Sequence, residues 1–236
     1  MDLENIQPYY FGDISCWSER TEVHKAASLG QASHLQHLIQ CGASVNIVAV
    51  DSITPLHEAC LRGQAQCARL LLDAGAQVTT SHGEAGNSDC VKLLIAEGAC
   101  LEAYDLYYGT PLHVACANQH TRCVKELLNA GAKVNAARLH QTALHHAAKS
   151  AQVELIDTLV DFGANIYARD KHNKKPVDYA TPDSPAAACL RSHEAIPMSL
   201  QQLCRLAVRQ KLGTRALKVV VQLQLPKLII SYLCYQ

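Results

Sequence analysis

A chain of 236 residues, 49% of them hydrophobic, holds enough apolar material for one large or two modest cores. Twenty-one Lys plus Arg balance twenty-one Asp plus Glu, so the molecule as a whole has no electrostatic claim on nucleic acid or on an anionic membrane. The balance is segregated, because residues 197–236 carry six basic and no acidic side chains, which leaves the first 196 residues at −6.

Eleven cysteines without any Cys-x-x-Cys pair, and no secretory leader, read as the reduced thiols of a cytoplasmic protein, or one shared with the nucleus. The densest apolar run, Val219 to Ile230, is interrupted by Gln222, Gln224, Pro226 and Lys227, which argues against a membrane span.

In chain order, residues 1–16 show no periodicity and are expected to form an N-terminal arm. Residues 17–180 are dominated by self-similarity. "TEVHKAASLG" begins at Thr21, "TPLHEACLRG" at Thr54, "TPLHVACANQ" at Thr110 and "TALHHAAKSA" at Thr142. A Gly-Ala pair closes each unit at Gly42, Gly75, Gly98, Gly131 and Gly163, in steps of 33, 23, 33 and 32 residues. Threonine suits an N-cap and Pro55 or Pro111 the first helical position, where a missing N–H is harmless. Ala59, Ala115 and Ala147 let inner helices approach closely, and Leu71, Leu94, Leu127 and Leu159 supply an outer-helix core. Gly75 and Gly131 suit the left-handed residue that ends a helix. A 33-residue period with Thr-Pro-Leu-His-x-Ala resembles the ankyrin repeat, a helix–turn–helix plus β-hairpin unit that buries its apolar face only by stacking.

The 23-residue step is anomalous. "TTSHGEAGNSD", Thr79 to Asp89, stands where a hairpin and an inner helix belong, so the third unit is expected to be truncated over 79–98. Excision of one repeat plus ten residues, about 43, explains it more simply than the natural shortening of one unit in a tight stack. "DKHNKKPVDYA", Asp170 to Ala180, opens a last incomplete unit, and residues 181–196, with Pro, Ser and Ala, read as a linker.

Histidine and cysteine recur as His57, Cys60 and Cys67 and again as His113, Cys116 and Cys123, a donor set known from zinc sites. The histidine is the repeat's own, also present as His24 and His145. The last position is filled in turn by His34, Cys67, Cys90, Cys123 and Leu155. A position that accepts leucine is a packing position, so neither a metal nor any other cofactor is expected. A Cys–His nucleophile pair is possible in principle, yet no pair stands out from its repeat copies. No phosphate-cradling or zincin motif occurs, and no catalytic residue is assigned.

The C-terminal segment opens with "SLQQLCRLAV", Ser199 to Val208. Leu200, Leu203, Cys204, Ala207 and Val208 fall on one helical stripe, with Ser199 placed to cap it and Gly213 to end it. Three short helices in forty residues bury little among themselves, so the stripe either caps the repeats or meets another chain. Leu200-x3-Cys204-x3-Val208 resembles the elongin-binding motif of the SOCS box, and "LQLPKLIISYL" from Leu223 resembles its cullin-contacting part. With the repeats, the chain over residues 12–236 resembles the ankyrin repeat and SOCS box family.

That resemblance implies an all-α ankyrin solenoid followed by a three-helix SOCS box at 197–236. It also implies a non-catalytic substrate receptor that joins a target to elongin B, elongin C, cullin-5 and its RING subunit, promoting ubiquitination and proteasomal degradation. Leu200 would enter elongin C with Cys204 and Val208 alongside, within the stripe that includes Leu203 and Ala207. Leu225 and Pro226 would face the cullin, although Leu228 stands where the fullest family pattern has a second proline. An ankyrin scaffold without ligase recruitment is the alternative. For the unknown target, Tyr107, Tyr108, Arg138 and His140 at hairpin tips are candidate contacts, because tips vary without unseating the stack.

Overall fold

The computed structural model describes residues 20–49, 53–77, 86–104, 109–196, 198–213, 216–222 and 224–234. The expected N-terminal arm and most of the 79–89 segment lie outside them. Seven-residue helices α1 (Glu22–Ser28), α3 (Pro55–Leu61), α6 (Pro111–Ala117) and α8 (Ala143–Lys149) alternate with nine-residue helices α2 (Ala32–Gln40), α4 (Ala65–Asp73), α5 (Ser88–Ala96), α7 (Thr121–Asn129) and α9 (Val153–Asp161). The short helices form an inner row and the long ones an outer row.

Three of the four inner helices start on the same device. The Thr54 N–H donates to His57 Nδ1 (3.1 Å), and Thr110 and Thr142 do the same to His113 (3.3 Å) and His145 (3.1 Å). An Nδ1 that accepts from an N–H leaves the proton on Nε2. That nitrogen then donates to the next unit, His113 to the Gln141 carbonyl (3.2 Å) and His145 to that of Lys174 (3.3 Å), and His24 Nε2 lies 3.1 Å from the Ile53 carbonyl in the same way. The repeated histidine is thus a neutral bridge between units. At the outer-helix ends, Gly75 (φ 86°) and Gly131 (φ 98°) take the left-handed conformation, with Ala76 and Ala132 N–H bonded back to the Leu71 and Leu127 carbonyls. Beyond them, Asn46 donates to the Gly75 carbonyl and Asn135 to that of Gly163, stitching each tip to its successor.

The core lies between the rows. Leu56, Leu71, Leu112, Leu144, Leu155 and Leu159 are sealed from solvent, each contributing about 1.5–3 kcal/mol relative to exposure. Cys60, Cys67, Cys90, Cys116 and Cys123 are buried with them, and burial pushes the Cys116 thiol above its ordinary range and Cys123 up to about 11.

The outer row is continuous from α2 through α4, α5 and α7 to α9, whereas in the inner row α1 packs on α3 and α6 on α8 without a comparable contact between α3 and α6. Fourteen residues separate α4 from α5, where 24 separate α2 from α4 and α5 from α7. The buried residues of the repeats accordingly form two clusters. Cys90 and Leu94 of α5 belong to the first and Val91 to the second.

The last unit departs from expectation. Residues 170–180 supply only a 3-10 turn, Pro176–Tyr179, held by Asp170, whose carboxylate accepts from the Tyr179 hydroxyl and from the N–H groups of His172 and Lys174. The stretch read as a linker is instead helix α10 (Pro185–Ala195). Ser184 accepts from the Ala187 N–H (3.1 Å), Pro185 takes the first position, and Ala186, Ala187 and Leu190 are buried in the second cluster. A Ser-Pro pair taken for a loop is here an N-cap and first turn. The segment that follows folds as α11 (Leu200–Leu212), α12 (Ala216–Gln222) and α13 (Lys227–Cys234).

Candidate functional site

Helix α11 carries the site. Ser199 caps it through the Gln202 N–H, Gln202 Oε1 accepts in return from the Ser199 N–H (2.9 Å), and Gly213 (φ 56°) ends it. Its burial pattern is inverted relative to an ordinary amphipathic helix. Leu200 is 77% exposed, and Leu203, Cys204, Ala207 and Val208 also face solvent. The two arginines of the same helix, Arg205 and Arg209, are each only 8% exposed.

The arginines explain the orientation. Arg209 donates to the Leu233 carbonyl of α13 (3.0 Å) and to the carbonyls of Leu128 (3.2 Å) and Asn129 (3.1 Å) at the end of α7. These last belong to the final turn of α7, the partly negative end of a helix and a natural seat for a guanidinium. Arg209 also lies over the Phe162 ring at 5.2 Å, and Arg205 over Tyr232 at 4.5 Å. Leu206 rests where a Cβ on residue 163 would come within 3.2 Å, so Gly163 permits the close approach. With the polar side of α11 fastened to the repeats, its apolar stripe faces outward.

The remaining helices make a small core of their own. Val220, Leu233 and Cys234 are buried, with Leu212, Leu225 and Ile230 packed against them. Leu225 is therefore partly committed inward, while Pro226 is exposed at the start of α13 and Leu228 is 82% exposed. The sequence reading missed Arg205 and Arg209. Their i, i+4 spacing opposite the stripe, in a helix free of acids, was the available signal.

The second candidate surface is the hairpin joining β1 (Ala137–Arg138) to β2 (Gln141–Thr142), in antiparallel register Ala137 to Thr142 and Arg138 to Gln141. Leu139 (φ 48°) and His140 (φ 66°) occupy left-handed positions that usually require Gly or Asn. Both are exposed. Arg138 is partly buried; its stem would lie about 3.0 Å from a Cβ on Gly109, and its Nε makes no hydrogen bond among the described residues. Tyr107 and Tyr108 lie outside the described residues. The ligand atoms of His57, Cys60 and Cys67 do not converge, nor do those of His113, Cys116 and Cys123. Among the described residues the trio whose atoms do is Asp157, Cys189 and His193. No helix among the described residues is long and apolar enough to cross a membrane.

The family profile for ankyrin repeats (3 copies) matches residues 10–82 and 82–170, and that for the SOCS box matches 196–234. Ankyrin repeat and SOCS box protein 13 of Mus musculus is 48% identical over 268 positions, covering 96% of each chain. Ankyrin repeat and SOCS box protein 5 of Mus musculus is 36% identical over 262 positions, covering 93% of this chain and 80% of its own. The crystal structure of the ankyrin repeat domain of Bcl-3, a member of the IkappaB protein family, superimposes with a TM-score of 0.63 at 29% identity, covering 73% of this chain and 82% of that one.

Proposed function

This chain belongs to the ankyrin repeat and SOCS box family, and on that premise we propose that it is a non-catalytic substrate receptor of a cullin-5 ubiquitin ligase. The ankyrin stack holds a target protein, and the SOCS box docks on elongin B and elongin C. The observation that carries this reading is the outward stripe of α11. Leu200, Leu203, Cys204, Ala207 and Val208 remain exposed although a core is available beside them, which fits an apolar surface completed by another chain. Pro226, with Leu225, would address the cullin.

The test is co-purification of elongin B and elongin C with the full chain and with Leu200→Ala and Cys204→Phe. Truncating a central apolar anchor costs about 2–4 kcal/mol of binding, so both variants should lose the elongins while the repeats stay folded. Undiminished co-purification by both would transfer the chain to the class of ankyrin scaffolds without ligase recruitment.

A second reading concerns the repeats. Among the described residues the inner row has no helix between α3 and α6, and alignment to the 48% identical relative runs over 268 positions, so at least 32 positions of that relative have no counterpart in these 236 residues. Both favour a shortened form of a longer receptor. Such a chain would occupy elongin while presenting an interrupted target surface.

A further inference from the structure

Helices α9 and α10 bring together three side chains that the repeats do not need. The carboxylate oxygen Oδ1 of Asp157 accepts from His193 Nε2 at 2.8 Å and from Cys189 Sγ at 3.0 Å. Cys189 and His193 are four residues apart, on one face of α10, and Asp157 faces them from α9. The three donor atoms all lie within 4.8 Å of one another. The Asp157 side chain is 50% exposed and that of His193 31%, so the cluster opens to solvent on one side.

We propose that Asp157, Cys189 and His193 form a binding site for Zn2+ that pins α10 to the last outer helix of the repeats. Thiolate, imidazole and carboxylate are the donor types of zinc sites, and the open side leaves the fourth tetrahedral position to water. Around a tetrahedral zinc with bonds of about 2.0–2.3 Å, ligand atoms stand about 3.3–3.6 Å apart. Each donor therefore needs to withdraw from Asp157 Oδ1 by only about half an ångström, within rotamer adjustment on two rigid helices. A hydrogen bond from a thiol is weak, so exchanging it for coordination forfeits little.

Charge balances as well. Binding expels the Cys189 proton to solvent, and thiolate plus carboxylate neutralise the dication, with His193 neutral. Without metal, burial and then the neighbouring Asp157 push the Cys189 thiol up to about 12, so it is protonated and inert as a nucleophile. Only residues 196–199 separate α10 from α11. An occupied site would therefore stiffen the joint between the repeats and the SOCS box.

The test is titration of Co2+, then displacement by Zn2+, in the reduced full-length chain, following thiolate-to-metal charge-transfer absorption. One Co2+ per chain is expected, with affinity at least about tenfold weaker in Cys189→Ser and in His193→Gln, and unchanged in Cys41→Ser and Cys204→Ser, whose thiols are exposed elsewhere. Curves for the first two variants that coincide with wild type overturn the proposal. A measurement on the unsubstituted chain is independent of how the variants fold. On that chain Zn2+ should slow amide hydrogen exchange across α10 (185–195), and equal rates with and without Zn2+ would also overturn it.

Discussion

Arg209 is the side chain whose replacement should most clearly separate the SOCS box from the repeats. Its guanidinium donates to three backbone carbonyls, those of Leu233, Leu128 and Asn129, and is 8% exposed. A hydrogen bond from a charged donor contributes about 1.5–3 kcal/mol. The three share one side chain and do not add, so Arg209→Met should cost about 3 kcal/mol, the upper end of that range, since the carbonyls left behind are neutral. Methionine keeps much of the stem that covers Phe162, which confines the loss to the polar head. The readout is amide hydrogen exchange across α11 and α13. At 1.4 kcal/mol per factor of ten, exchange should accelerate by at least about a hundredfold, with α1 and α3 unaffected. Arg209→Lys should fall between, since an ammonium keeps the charge but not the planar fork. A change below threefold in the methionine variant would refute the view that the arginine face sets the orientation of α11.

The remaining predictions are narrower. His113, His145 and His146 are all held below the ordinary histidine pKa, chiefly by burial, His146 at about 4. The unfolded chain therefore binds more protons than the folded one below about pH 6.5, and the stability these groups contribute should be complete above that pH and lost as pH falls toward 4, seen as a falling thermal midpoint. Leu139→Gly relieves a left-handed backbone that costs a side-chain-bearing residue about 1–2 kcal/mol, and should raise the midpoint by a few degrees. Amides of α5 (88–96) should exchange faster than those of α7 (121–129) if an inner helix has been lost beside α5; equal protection would show a stack that is intact as it stands. Tyr107→Ala with Tyr108→Ala, or Arg138→Ala with His140→Ala, should change the set of captured targets while elongin capture persists, and an unchanged set would remove those residues from the target surface.

The repeats were legible because their information is local. Thr, Pro, His and Ala recur at fixed offsets, and each residue acts within its own unit or on the next. The inner-row gap was legible for the same reason, as ten missing residues between Val78 and Cys90. The Leu200 stripe was readable as a pattern, but its direction was not. That depends on Arg209 meeting carbonyls some 80 residues earlier in the chain, which no window of sequence contains. Residues 181–196 misled because Ser-Pro serves both loops and helix starts, and only the apolar surface of α9 decides which. The Asp157–Cys189–His193 cluster was hidden for a related reason: its carboxylate comes from a different helix, 32 residues before the cysteine.

The divided core has a consequence for cooperativity. In a one-dimensional stack, each unit is stabilised by its neighbours, and the weakest interface sets where the chain parts. Here the N-terminal and C-terminal clusters are joined through α5, whose Leu94 belongs to one and Val91 to the other. Such a molecule is expected to unfold in two steps rather than one, which would show as two separated calorimetric transitions. The block that carries the SOCS box is the larger, so it can remain native while the block ahead of it melts and re-forms. A receptor built this way would keep its grip on the ligase through fluctuations that erase half of its recognition surface, making target capture the temperature-sensitive half of its activity.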